Sequence, residues 1–123
     1  MQAPLSGVRI LDLSAVVSGP MATGILADQG ADVIKVETQG GDLTRRVGPI
    51  KGDMTSLFAT INRGKRSITV DIAQPAGQAL IKALLLQCDI VIENFKAGDL
   101  ARYGLDYASL QASHPRLVYC SIS

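Results

Sequence analysis

The sequence has 123 residues, of which 47% are hydrophobic and 19% charged, with a formal net charge of +1. That is the length of one ordinary domain with enough apolar surface for a core, which excludes a disordered chain. A charge so close to zero excludes a general electrostatic grip on nucleic acid or an anionic membrane, so any bound anion must be held by a local cluster.

The opening Met1-Gln2-Ala3-Pro4-Leu5 has no basic stretch leading into an apolar one, and so reads as no secretory leader. Residues 8–13 are a short apolar run, expected as the first strand. Gly19-Pro20 follows, with proline placed to begin a helix. Met21, Ala22, Ile25 and Leu26 recur at helical spacing, and Gly30 is expected to close the helix. Residues 33–36 read as a second strand. Ile68, Val70 and Ile72 alternate with polar residues, which predicts a half-exposed third strand near a sheet edge. Pro75 opens another helix whose expected buried stripe is Leu80, Ile81, Leu84 and Leu85. Residues 90–92 form a fourth strand. Short helices are expected around Leu100 and over 107–113, and residues 117–122 make a fifth strand.

Strands alternating with helices predict an α/β fold: a Rossmann-like, doubly wound parallel sheet with helices on both faces. Two stretches break the rhythm. Residues 39–51 are polar and glycine-rich, and Asn62-Arg63-Gly64-Lys65-Arg66 packs three cations into five positions. No run approaches the roughly 20 apolar residues that span a bilayer, so the cytoplasm is expected. Cys88 and Cys120 sit in apolar runs without metal-ligand spacing and read as buried, reduced thiols. Ser123 ends an apolar strand with nothing capping it, the pattern expected of a piece of a longer protein.

Open parallel sheets bind ligands beyond the carboxyl ends of their strands, where the strand order reverses. In a 3-2-1-4-5 order that point lies between the first and fourth strands. The loops there are residues 14–20 and 93–98. Amides at a helix start near Gly19 suit an anion, Asn94 can donate and accept, Phe95 offers an apolar face, and Lys96 and Arg102 add charge. Each also has a plain structural reading as strand end, core or solvated cation. Gly19 and Gly24 are spaced as in a phosphate loop, but Ile25 and Leu26 stand where Lys and Ser/Thr are needed, which excludes that motif. Glu37 ends the second strand where dinucleotide-binding folds hold a ribose, yet the Gly-x-Gly-x-x-Gly fingerprint is missing. His114, before Pro115, reads as a helix C-terminal cap. No pair of acids has a spacing that argues acid–base catalysis.

Residues 4–13, Gly19-Pro20, residues 26–37, the turn from Asn62 to Ile68, residues 89–95 and residues 115–122 together resemble the amino-terminal part of family III acyl-CoA transferases, the CaiB/BaiF type. The resemblance runs over essentially the whole chain, with every motif in order. It implies that residues 1–123 are an amino-terminal coenzyme-A-binding, Rossmann-like domain. It also implies transfer of CoA between carboxylic acids through an aspartyl-CoA thioester, with acyl-CoA and a carboxylic acid as partners and no metal. The family's aspartate lies beyond Ser123, so no residue here takes a catalytic role and the chain alone is expected to be inactive. By the same resemblance Val16, Val17 and Ser18 line the CoA, Val70 and Ile72 border the adenine, Asn94 and Phe95 meet nucleotide or pantetheine, and Arg102 meets a phosphate. The sequence departs from relatives that carry basic residues at the positions of Thr38 and Ala73, so phosphate contacts are expected to be fewer, or shifted to Lys96, Arg45 or Arg46. Interlocked homodimers are implied for the full-length protein. A 2-methylacyl-CoA racemase of the same fold is an alternative, disfavoured by Glu93-Asn94-Phe95 and by the length of the segment before Asn62. An NAD-binding module using Glu37 is another.

Overall fold

Short runs of branched apolar residues, each stopped by a turn, set the strands in the computed structural model, which describes residues 2–123. In chain order the elements are β1 (Arg9–Asp12), α1 (Ser18–Asp28), β2 (Asp32–Glu37), β3 (Ile50–Lys51), β4 (Met54–Thr55), α2 (Ser56–Ile61), β5 (Arg66–Thr69), α3 (Pro75–Leu85), β6 (Ile90–Glu93), α4 (Tyr107–Leu110) and β7 (Val118–Ser121). Single 3-10 turns occupy Leu43–Arg46 and Ala101–Tyr103.

Five strands form one sheet in the order β5-β2-β1-β6-β7, and every pairing is parallel. Counting only these strands, this is the 3-2-1-4-5 order expected from sequence. Leu11 is paired with Ile34 on one side and Val91 on the other, so the reversal falls between β1 and β6. β5 lies at an edge, as the alternation of Ile68, Val70 and Ile72 predicts, though pairing stops at Thr69.

The helices differ from expectation in which residues they bury. In α1 the buried positions are Gly19, Pro20, Thr23 and Gly24, whereas Met21 and Ile25 are each 48% exposed. The cause is close approach. A Cβ on Gly19 would fall 2.2 Å from the Ser14 Cβ, and one on Gly24 would fall 2.6 Å from the Ile61 carbonyl oxygen. At Gly19 and Gly24 only a residue without a side chain fits. The helix ends as expected at Gly30, whose φ of +102° suits glycine, with its N–H donating to the Ala27 carbonyl. In α3, Ile81 and Leu85 are buried and Leu84 partly so, but Leu80 faces solvent.

Residues 39–61, read from sequence as irregular up to Lys51, contain the β3–β4 hairpin and α2. These pieces are too short to show a period. Thr55 caps α2 by accepting the Phe58 N–H, and its hydroxyl donates to the Thr44 carbonyl. Cys88 is half-buried, but Cys120 is exposed on the outer strand β7, contrary to the expectation of two buried thiols; both are free. β7 is an edge of the sheet, paired only with β6 among the described residues. His114 is structural as expected. Its backbone N–H donates to Leu110, and its ring lies 3.0 Å from the Lys82 carbonyl through Nε2. Among the described residues no helix is long and apolar enough to cross a membrane.

The core has two parts, one on each side of the sheet. Leu11, Leu13, Ile34, Val36 and Val91 pack with Ile81 and Leu85 of α3 and with Leu100, Leu105 and Leu110. Alternate residues of the same strands, Ile10, Val33 and Ile92, form a smaller cluster with Leu26 and Ala27 of α1.

Candidate functional site

The site starts where the strand order reverses. The Ala15 N–H donates to Asn94 Oδ1 at 2.9 Å, and Asn94 Nδ2 donates to the Ala15 carbonyl at 2.7 Å. A side-chain amide and a peptide thus pair face to face and join the loop after β1 to the loop after β6. Asn94 spends both ends of its amide on this joint, so its part is to hold the two loops together at the same end of the sheet.

Beside the joint is a cleft of about 120 Å³. Its lining is mostly apolar, with Leu13, Val36, Leu43, Val70, Ile72 and Phe95, but the carboxylate-bearing Glu37 and Asp42 border it too. Complete drug-sized ligands fill about 300–1,000 Å³, so this cleft suits one ring of a ligand and leaves the rest to lie over the loops. On the far side of Phe95 is a second depression of about 210 Å³, bordered by Lys96, Leu100, Tyr107 and Tyr119.

Of the residues picked out by sequence, Val70, Ile72 and Phe95 come together in the first cleft, and Phe95 and Lys96 share the second. Val16 and Val17 on the loop and Ser18 at the start of α1 are exposed and form no wall of either cavity. Arg102 is also exposed, its guanidinium stacked 4.9 Å above the Tyr103 ring and 4.0 Å from Asp99. Arg45 and Arg46, the alternative phosphate ligands, are otherwise engaged. Arg45 forks onto Glu37 at 2.7 and 2.8 Å and lies 3.8 Å over Phe58, and Arg46 donates to the Gly40 carbonyl.

Glu37 is correspondingly full. Besides Arg45 it accepts from the Ser67 hydroxyl and the Asp42 N–H. Burial pushes its carboxyl up, but these donors outweigh burial and hold it at about 2. A carboxylate with four donors has no lone pair to offer a ribose.

Sequence reasoning missed the polar network beneath the cleft floor. Lys35 has a side-chain exposure of 1% and lies 2.8 Å from Asp42 Oδ2, itself 1% exposed. Its Nζ also donates to the Ser14 carbonyl at 3.2 Å. A second buried pair joins Lys65 to Asp12 at 3.0 Å. Asp12 accepts from the Ser14 N–H at 2.9 Å, the Ser14 hydroxyl and the Thr23 hydroxyl. Burial lowers the Lys65 pKa despite the attraction of Asp12. The available signal was Lys35 itself, a cation inside the apolar run 33–36. Val16 has φ of +70°, the only non-glycine with positive φ among the described residues. Among those residues, no three His, Cys, Asp or Glu side chains gather as metal ligands.

Comparison with known proteins agrees with this geometry. Residues 5–123 match the family described as CoA-transferase family III. The chain is 51% identical over 128 aligned positions to a succinate–glutarate CoA-transferase of Agrobacterium fabrum, covering 98% of this chain and 32% of that protein. It is 46% identical to the human succinyl-CoA:glutarate CoA-transferase, covering 98% and 28%. A CAIB/BAIF family protein from Brucella suis superimposes with a TM-score of 0.95 at 46% identity, over all of this chain and 34% of that one. The chain thus spans about three-tenths of the length of the curated relatives it matches. With the family's motifs in order, its sheet topology and its match over nearly every residue, this chain belongs to CoA-transferase family III.

Proposed function

We propose that the chain supplies the coenzyme-A-binding part of an acyl-CoA transferase that moves CoA between carboxylic acids. The observation that carries this reading is the joint between Ala15 and Asn94, which sets an apolar cleft and a cation-bearing loop side by side at the switch point. Val70 and Ile72 border the adenine, and Phe95 separates the ring from the rest of the cofactor. Val16, Val17 and Ser18 run along its arm. Lys96, which borders the second depression, and Arg102, whose guanidinium is exposed and 4.0 Å from Asp99, meet the phosphates.

In the whole protein an aspartate beyond Ser123 is the nucleophile. Its carboxylate attacks the thioester carbonyl and expels CoA thiolate, giving a mixed anhydride. The thiolate then attacks the aspartyl carbonyl, releasing the donor acid and leaving aspartyl-CoA. The incoming carboxylate reverses both steps and leaves with CoA. The residues described here hold the cofactor during this exchange and perform no bond-breaking step. The whole protein works as an interlocked homodimer in the cytoplasm. The transferase names of the relatives favour transfer over racemisation. The saturated Glu37 weighs against an NAD-binding module.

Titration calorimetry with CoA, acetyl-CoA and NAD tests the assignment. CoA and acetyl-CoA bind, NAD does not, and Ile72→Asp weakens CoA binding more than tenfold by placing a charge in an apolar wall. Arg102→Ala weakens it several-fold. NAD binding that is lost in Glu37→Ala overturns the reading. Mass spectrometry of the 123-residue chain after incubation with acyl-CoA shows no added thioester.

A further inference from the structure

Val16 has a β-branched side chain and a left-handed backbone at φ +70°. Such a residue is a genuine outlier, persisting only where its surroundings over-determine it. Three contacts do so. The Val16 N–H points at the Asp42 carboxylate, 3.3 Å from both oxygens. The neighbouring Ala15 peptide is clasped on both sides by Asn94. Ser14 is gripped from opposite directions, its N–H and hydroxyl by Asp12 and its carbonyl by Lys35.

Asp42 is central to this. It is buried, it closes the ion pair with Lys35, and it caps its own turn by accepting the Thr44 N–H and hydroxyl. Its carboxylate therefore cannot swing to meet the loop; the loop must come to it. A buried ion pair is weak evidence for stability, because desolvation offsets most of the attraction. Its service here is geometric, because it pins an acceptor at the one place that keeps Val16 in a conformation it would otherwise leave.

We infer that Asp42, held by Lys35, is a positioning residue that keeps the loop of Val16, Val17 and Ser18 preformed for the cofactor. The inference rests on the proposed CoA-binding role of that loop. The ordering cost is met during folding, and the ligand does not meet it again on binding. Lys35 does not line the cleft and Asp42 borders it, so the exchange readout, which needs no ligand, separates positioning from contact.

The test uses the whole transferase and two readouts. In the first, amide hydrogen exchange at Val16 is slow in the parent protein and accelerates at least tenfold in Asp42→Ala and in Lys35→Met, while amides of β1 and β6 keep their protection. In the second, CoA affinity falls about tenfold in Asp42→Ala, the effect of releasing a strained residue. Adding Val16→Gly to Asp42→Ala recovers part of that loss, because glycine adopts φ +70° freely. If Asp42→Ala does not fold, Asp42→Asn carries the test. It keeps an acceptor but loses the ion pair, and gives a smaller shift in both readouts. Unchanged exchange at Val16 overturns the inference, as does a glycine that deepens the affinity loss. Absence of CoA binding in the parent protein instead overturns the functional reading, while the exchange experiment still judges the positioning.

Discussion

The side of the sheet under α3 and the side under α1 are sealed by different means. Under α3 the contacts are large and aliphatic: Leu11, Leu13, Ile34, Val36 and Val91 meet Ile81 and Leu85. Under α1 the aliphatic cluster is small, and the space toward the carboxyl ends of β1 and β2 holds Asp12, Lys65, Thr23, Lys35 and Asp42, all with side chains nearly or wholly removed from solvent. The first kind of packing is non-directional and tolerates small shifts. The second is directional, and Asp12, Lys35 and Asp42 each place a bond on the loop that carries Ser14 and Val16. One side supplies stability and the other supplies a fixed loop geometry.

The sharpest way to break this comparison is to remove one buried charge. Lys65→Met leaves the Asp12 carboxylate buried with two hydroxyls and an amide but no cation, which costs roughly 3–5 kcal/mol. Replacing both partners, Asp12→Leu with Lys65→Met, recovers much of that loss, because a matched apolar pair carries no uncompensated charge. Urea unfolding of the three proteins measures it. If the single variant loses less than about 1 kcal/mol, as an exposed ion pair would, the pair is not a buried structural device and the contrast between the two sides fails.

The two helices give a second contrast, in opposite senses of volume. α3 suffers from losing atoms: Ile81→Ala costs about 2–5 kcal/mol through lost burial and the cavity left behind. α1 suffers from gaining them: Gly24→Ala drives a methyl to 2.6 Å from the Ile61 carbonyl oxygen, which costs about 1–3 kcal/mol as overpacking. Thermal unfolding ranks them. A stabilising Gly24→Ala, the usual outcome of replacing an unconstrained helical glycine, shows that α1 and α2 are free to move apart.

How much of this was readable from the residues follows the same division. The strands, their order and the meeting of the loops at Ser14 and Asn94 came from apolar runs and from the rule for switch points. The stripe on α3 was half readable: Ile81 and Leu85 are buried, but the equally apolar Leu80 is not. On α1 the pattern misled. Periodicity marks large apolar residues, whereas this helix docks through Gly19, Thr23 and Gly24, which carry little or no apolar signal. The ion pairs were hidden for a different reason. Lys35 and Asp42 are seven positions apart across a turn, and Asp12 and Lys65 are joined only when β1 and the basic turn meet in three dimensions. Arg45 and Arg46 looked like ligands for phosphate because charge is visible in sequence and its partners are not.

Glu37 offers the gentlest probe, because it lies on the polar side but its partner Arg45 is about a third exposed. Its carboxyl sits at about 2 in the folded protein against 4.5 for the ordinary side chain. The unfolded chain therefore binds the extra proton between these values, and stability falls as pH drops through that window. It is fully present above about pH 5 and lost toward pH 2. The full shift corresponds to about 3 kcal/mol, which solvent screening of Arg45 reduces to about 1–2 kcal/mol. Urea unfolding of the parent and Glu37→Gln at pH 3 and pH 6 separates the contribution. The variant is less stable at pH 6, and the gap between the two proteins narrows at pH 3. A gap that stays constant with pH means the Glu37 carboxylate and the Arg45 guanidinium do not interact as charges, and the polar side of the sheet then works through hydrogen-bond geometry alone at this position.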